Sequence, residues 1–272
     1  MNAYALRVDD APDAVPPAFG RPPTVAGLLG GQRLWYEAAS LMRDPVWHGK
    51  GVPDGGGMPV LLVPGFLAGD PSLRTMRRWL RARDYWTCTS QIRFNVDCTR
   101  LSVDRLERRL VEFTDKMGRP TAIIGQSRGG TLAKLVAMRR PDRVSGIFTL
   151  GSPNLDPMAI NRLLERQVKL VAALGEAGVP GMFREDCIHG DCAEEVRQML
   201  AQPFPPGVRY VAVYSRTDGV VNWKACLDPA AEHVEVRSSH VGMALNPTIY
   251  RVLGAHLGEL AAEGRRQSIR LV

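Results

Sequence analysis

The apolar positions of this chain change period many times along its length. Short apolar or β-branched runs at residues 58–63, 87–92, 121–124, 144–150, 208–215 and 233–237 read as strands. Between them, apolar residues return every three or four positions, as on one face of a helix. Leu34, Ala38 and Leu41 mark a helix over about residues 28–42 that ends before Pro45. Asp70 and Pro71 open the next, with Asp70 as N-cap and Leu73, Met76 and Leu80 on the inner face. Leu106, Leu110, Phe113 and Met117 mark a third, closed by Gly118 and Pro120. A fourth covers Thr131 to Ala137, and the last runs over about residues 247–262.

This alternation predicts an α/β class: a mostly parallel, open sheet flanked by helices. One connection is out of scale. Between Pro153 and Val208 the chain is too long for an ordinary crossover. Within it Ile160, Leu163, Leu164, Val168, Val171 and Leu174 are placed on one helical face. The chain therefore divides into an N-terminal Pro-rich segment and helix (1–57), a core in two pieces (58–153 and 207–263), an insertion (154–206) and a C-terminal tail (264–272).

Composition narrows the class without naming it. With 272 residues, 45% hydrophobic and 23% charged, the chain suffices for one domain with a sizeable core. No apolar run approaches the ~20 residues that span a bilayer. Residues 1–23 carry Asp9, Asp10, Asp13 and several prolines but no apolar signal region, which predicts a cytoplasmic protein. The net charge of +7 is scattered and accompanies no nucleic-acid motif, so a nucleic-acid role is not expected. Arg74, Arg77, Arg78 and Arg81 form a basic helix face. It suits weak contact with an anionic lipid surface, although a solvated face is the simpler reading.

The chemistry concentrates at Gly125-Gln126-Ser127-Arg128-Gly129. An apolar strand precedes it and a helical pattern follows, the context of a nucleophile elbow. A serine hydroxyl needs a base, and the base needs an orienting acid. Asp218 lies just past the 208–215 strand, and His240 just past the 233–237 strand. All three thus follow strands on the carboxyl side, where an open parallel sheet gathers its ligands. A Thr-Asp-Gly segment is often only a turn. Among the five histidines, however, His48, His189, His233 and His256 lie outside this position and order. Asp228 and Glu232 are the reserve acids. An oxyanion would be received by two backbone N–H groups, that of Arg128 and that of Phe66, with Leu67 as the next candidate, in the Pro64-Gly65-Phe66-Leu67 loop after the first strand.

Together, Val60–Phe66, Ile124–Gly130, Thr149–Pro153, Tyr214–Val221 and Ser239–Met243 resemble the α/β-hydrolases, specifically their bacterial lipase and esterase branch. The resemblance covers about residues 58–262. It implies the α/β-hydrolase fold with a helical cap or lid at 154–206, and no cofactor. It also implies hydrolysis of a small-molecule carboxylic ester through an acyl-enzyme on Ser127, with His240 as base and Asp218 as acid. Leu67, Leu163, Leu164 and Val241 are the positions expected to line the acyl site. Two residues depart from the pattern: Pro64 stands where many relatives have His, and Arg128 where many have His or Leu. A thioesterase or acyltransferase with the same triad, a cofactor-free perhydrolase and a non-catalytic binding protein are the other readings. The complete Ser-Asp-His set disfavours the last.

Five cysteines remain: Cys88, Cys98, Cys187, Cys192 and Cys226. Cys187-Ile188-His189-Gly190-Asp191-Cys192 offers two thiols and an imidazole but lacks a fourth ligand and a zinc-type spacing, so no metal is expected there. A disulfide between Cys187 and Cys192 that pins the insertion is the other option left open.

Overall fold

The computed structural model describes Pro22 and residues 30–270. Apart from Pro22, the Pro-rich segment expected over residues 1–24 lies outside them. Six strands form one sheet: β1 (Pro59–Val63), β2 (Trp86–Thr89), β3 (Thr121–Gln126), β4 (Val144–Leu150), β5 (Arg209–Tyr214) and β6 (Glu232–Glu235). Their order is β2-β1-β3-β4-β5-β6, and each neighbouring pair is parallel. The helices are α1 (Gly30–Arg43), α2 (Arg74–Ala82), α3 (Thr99–Met117), α4 (Arg128–Arg139), α5 (Arg162–Glu176), α6 (Asp186–His189), α7 (Asp191–Ala201) and α8 (Pro247–Arg270).

The central strands are apolar on both faces because helices cover both. On one face Val60, Leu62, Ile124, Phe148 and Val211 meet Trp79 of α2 and Tyr250, Leu253 and Leu257 of α8. Trp79 packs edge-on against Tyr250 with centroids 5.0 Å apart and donates its indole N–H to Val46 O at 2.7 Å. On the other, Leu61, Val63, Ile123 and Ile147 meet Leu106 and Leu110 of α3, Leu132 and Val136 of α4, and Leu200 of α7. Each such side chain contributes roughly 1.5–3 kcal/mol when fully buried. A third cluster joins Val96, Ile160, Val168, Val171, Phe183, Ile188 and Val221, and Phe66 packs against it.

Several expectations from the sequence are corrected. Asp70 does not cap α2: Gly69 precedes a 3₁₀ turn (Asp70–Leu73) that leads into the helix. The Asp70 carboxylate instead accepts from Ser90 N, Ser90 Oγ and Gln91 N, at 3.2, 2.6 and 2.9 Å. These bonds hold Gln91 at φ 64°, so β2 stops at Thr89 rather than running to residue 92. The last helix does not end near residue 262 but continues to Arg270, so most of the expected tail is helical.

The helical face expected in the insertion also splits. Asn161 caps α5 by accepting from Leu164 N at 2.8 Å, and this register buries Val168, Val171, Ala172 and Gly175. Gly175 lets the helix close on the Phe183 carbonyl, which a Cβ there would meet at 2.3 Å. Leu163, Leu170 and Leu174 fall on a neighbouring stripe, about 100° around the helix, that is exposed. At 3.6 residues per turn, positions 163 and 164 begin different rows.

Candidate active site

Ser127 sits between β3 and α4 at φ 51° and ψ −126°. A left-handed φ is strained for a residue with a side chain, by about 1–3 kcal/mol, and persists only where its surroundings hold it. Here Ser127 N donates to Leu150 O at 2.8 Å, and Ser127 O accepts from Gly130 N at 2.9 Å. The flanking glycines permit the crossing. A Cβ on Gly125 would lie 2.4 Å from Gly129 O, and one on Gly129 would lie 2.3 Å from Val63 O.

His240 follows β6, and its Nδ1 is 2.6 Å from Oδ2 of Asp218. The other carboxylate oxygen, Oδ1, accepts from Val220 N and Val221 N at 2.8 and 2.9 Å. A buried carboxylate with both oxygens engaged in this way is fixed in place, and it directs the proton of the neutral imidazole to Nδ1. The pair lies beside the elbow. Gln126, the residue before Ser127, donates its Nε2–H to His240 O at 3.1 Å. Gly151, after β4, is small enough to seat the pair: a Cβ there would be 3.2 Å from both Asp218 Oδ2 and His240 Nδ1. The structure thus gathers Ser127, Asp218 and His240 at the carboxyl ends of β3, β5 and β6.

The reserve acids are engaged elsewhere. Asp228 is buried against Lys134, Nζ to Oδ2 2.5 Å, and accepts from Tyr210 OH. Glu232 lies near His256. Among the remaining histidines, His233 Nε2 contacts Asp228 O, and His189 is exposed beside Glu185.

Two positioning residues were not legible in the sequence. Glu37 of α1 is 5% exposed, and its carboxylate accepts from Ser238 Oγ, Ser239 N and Ser239 Oγ at 2.7, 3.0 and 2.7 Å. It anchors the residues immediately before His240. Its only sequence signal was a lone acid on a helix whose inner face was read from Leu34, Ala38 and Leu41. The second is Asn95, a buried residue between Phe94 and Val96. Its Nδ2 donates to Pro64 O at 2.8 Å, its N–H donates to Ala68 O at 3.0 Å, and it forms a β-bridge with Phe66. The Pro64–Leu67 loop is therefore braced by an asparagine from the segment after β2.

That loop closes over the serine. A Cβ on Gly65 would lie 3.2 Å from Ser127 Cβ, so only glycine permits this approach without displacement. Arg128 opens α4, and the N–H groups of a first helical turn have no intrahelical acceptor. Its side chain is held by four hydrogen bonds to the segment after β2 and the start of α3. Nη1 donates to Asn95 O and Oδ1, and Nη2 to Asp97 O and Thr99 Oγ1. Burial lowers its pKa to about 10.

A cavity of about 110 Å³ adjoins Ser127, lined by Phe66, Ile160, Leu164, Phe183 and Ile188 among others. Of the expected acyl-site positions, Leu164 lines it. The other three do not. Leu163 is 64% exposed on the outer row of α5, and Val241 is 58% exposed where its 3₁₀ turn buries Gly242, Met243 and Ala244 instead. Leu67 stands at φ 57° and borders a separate surface groove with Phe94.

Comparison with known proteins agrees with this architecture. A family model described as the alpha/beta hydrolase fold matches residues 59–179. The mature form of a lipase from Bacillus licheniformis superposes with a TM-score of 0.56 at 15% identity, over 75% of this chain and 94% of that one. The 2-hydroxy-6-oxo-6-phenylhexa-2,4-dienoate hydrolase of Rhodococcus sp. strain RHA1 gives 0.50 at 14% identity, over 76% and 92%. A carboxylesterase structure from the thaumarchaeon Nitrososphaera gargenis gives 0.50 at 17%, over 78% and 93%. No curated protein sequence matches the chain. At such identities the likeness is one of fold. With its parallel sheet, its strand–serine–helix turn and the family-model match over residues 59–179, the chain has the α/β-hydrolase fold.

Proposed function

We propose that this protein is a serine hydrolase of carboxylic esters with a short acyl group. The observation that carries the reading is the strained Ser127 turn beside a buried His240–Asp218 pair. In this mechanism His240 Nε2 takes the Ser127 proton as Oγ attacks the ester carbonyl, and Asp218 stabilises the imidazolium. The N–H groups of Phe66 and Arg128 receive the oxyanion, and losing one such donor typically costs ~2.7–4 kcal/mol. The imidazolium protonates the departing alcohol. Water then enters and attacks the acyl carbon as it gives a proton to His240, and the imidazolium returns that proton to Ser127 Oγ as the acid leaves.

The helices between β4 and β5 act here as a cap, because Leu164, Phe183 and Ile188 wall the cavity from that side. A cavity of about 110 Å³ holds the equivalent of roughly four waters, or a few acyl carbons. The test is p-nitrophenyl esters of increasing chain length, run beside matched acyl thioesters. Ser127→Ala serves as the control, and a fluorophosphonate probe reports on the nucleophile. The reading expects labelling at Ser127 and a preference for acetyl to butyryl oxygen esters. No labelling and no turnover would refute it, and faster thioester turnover would reassign the leaving group.

A further inference from the structure

Three thiols that are far apart in sequence meet beside this cavity. Cys98 caps the start of α3, Cys187 lies in α6 and Cys192 in the first turn of α7. Their sulfurs all lie within 4.8 Å of one another, and Cys98 Sγ is 3.5 Å from Cys192 Sγ. We propose that Cys98, Cys187 and Cys192 bind one thiophilic d¹⁰ cation, Zn²⁺ or Cu⁺, at the seam between the insertion and the core.

The geometry fits a single ion. Metal–thiolate bonds of about 2.3 Å place three sulfurs roughly 4 Å apart around a common centre, a separation this cluster reaches with shifts of under about 1 Å. A disulfide would use two of the three sulfurs and leave the third unexplained. His189, the ligand that the sequence motif suggested, is not part of the cluster: it is exposed beside Glu185. The missing ligand was Cys98, which the local motif could not reveal.

The charge fits as well. Three thiolates around a mono- or divalent ion leave net negative charge. Among the described residues, the buried Arg128 guanidinium hydrogen-bonds only neutral oxygens, two of them the carbonyls of Asn95 and Asp97. The thiols of Cys187, Cys98 and Cys192, together with the Asp97 carboxylate, act on it electrostatically. Arg100, at the surface, pairs first with Glu195 at 2.9 Å and only secondarily feels Cys192 and Cys98. The site thus has cationic compensation that the proposed ester chemistry does not use. Three ligands leave one position for water on Zn²⁺ or complete a trigonal set for Cu⁺. Cys187 also lines the Ser127 cavity, so the ion would stiffen a wall of the acyl site.

The experiment uses the full chain, reduced and kept anaerobic, with free thiols counted before metal is added. Zn²⁺ is titrated against a chromophoric chelator, Cu⁺ against a Cu⁺-specific one, and Cd²⁺ is followed by its thiolate charge-transfer band. The expected result is one equivalent bound. Cys98→Ser, Cys187→Ser and Cys192→Ser should each weaken binding by more than the roughly 10–100-fold that loss of an outer-shell partner costs. Cys88→Ala and Cys226→Ala should leave affinity unchanged. Substoichiometric uptake by protein whose thiols titrate as free would overturn the site, as would full binding by Cys98→Ser. A Cys98–Cys192 disulfide that is the only form in cells would overturn it too. None of these readouts depends on esterase activity, so the site and the ester reading stand or fall separately.

Discussion

Glu37→Ala tests whether the segment before the sheet shapes the site. Glu37 brings a carboxylate to three donors in the two residues ahead of His240, with contacts of 2.7–3.0 Å. A hydrogen bond to a charged group contributes ~1.5–3 kcal/mol, so three would total at most about 9. That sum overstates the loss. The carboxylate has lost its hydration without gaining a cationic partner among these contacts, and that cost is recovered on deletion. The Ser238 hydroxyl also retains a bond to Ser239 O at 3.1 Å. What remains is chiefly the Ser239 amide and hydroxyl left without their acceptor, at ~1–3 kcal/mol for an unsatisfied group.

We therefore expect Glu37→Ala to lower unfolding free energy by about 2–4 kcal/mol in urea titration. Glu37→Gln, which keeps one acceptor and the shape, should lose about half as much. In the folded fraction, kcat on a short p-nitrophenyl ester should fall more than tenfold for Ala with little change in KM, because the imidazole loses its fixed position. A stability change within about 0.5 kcal/mol, the range of an ordinary surface substitution, together with unchanged kcat would refute the anchoring role.

Four further outcomes follow from the same geometry. Asn95→Leu removes the donor to Pro64 O, and should lower kcat about 10–100-fold at constant KM if that loop holds the oxyanion donor. Gly65→Ala places a methyl 3.2 Å from Ser127 Cβ, and the resulting shift of a few tenths of an ångström should cost up to about 10-fold in rate while urea unfolding stays near wild type. Lys134→Met strands the buried Asp228 carboxylate and should destabilise by about 3–5 kcal/mol, measured by chemical denaturation. Leu164→Ala enlarges the cavity and should move the preferred ester toward longer acyl chains, whereas Leu163→Ala, on the exposed row, should not.

The strands β1, β3, β4 and β5, the helices around them and the elbow at Ser127 were readable because their determinants are local. A run of buried apolar residues, a glycine two positions either side of a serine and a change of hydrophobic period all act within a few neighbours. The shared placement of Asp218 and His240 was readable for a related reason: in a parallel sheet, position after a strand already implies one shared edge. Where side chains point and what they meet across the fold was not readable. The row of α5 that turns inward depends on the cap at Asn161 and on the close approach of Gly175 to Phe183, so Leu164 lines the cavity and Leu163 does not. Glu37, Asn95 and Cys98 acquire their partners only when segments distant in sequence pack together. A polar side chain on one element carries no local mark of the group that another element brings to it, and only tertiary packing makes that pairing.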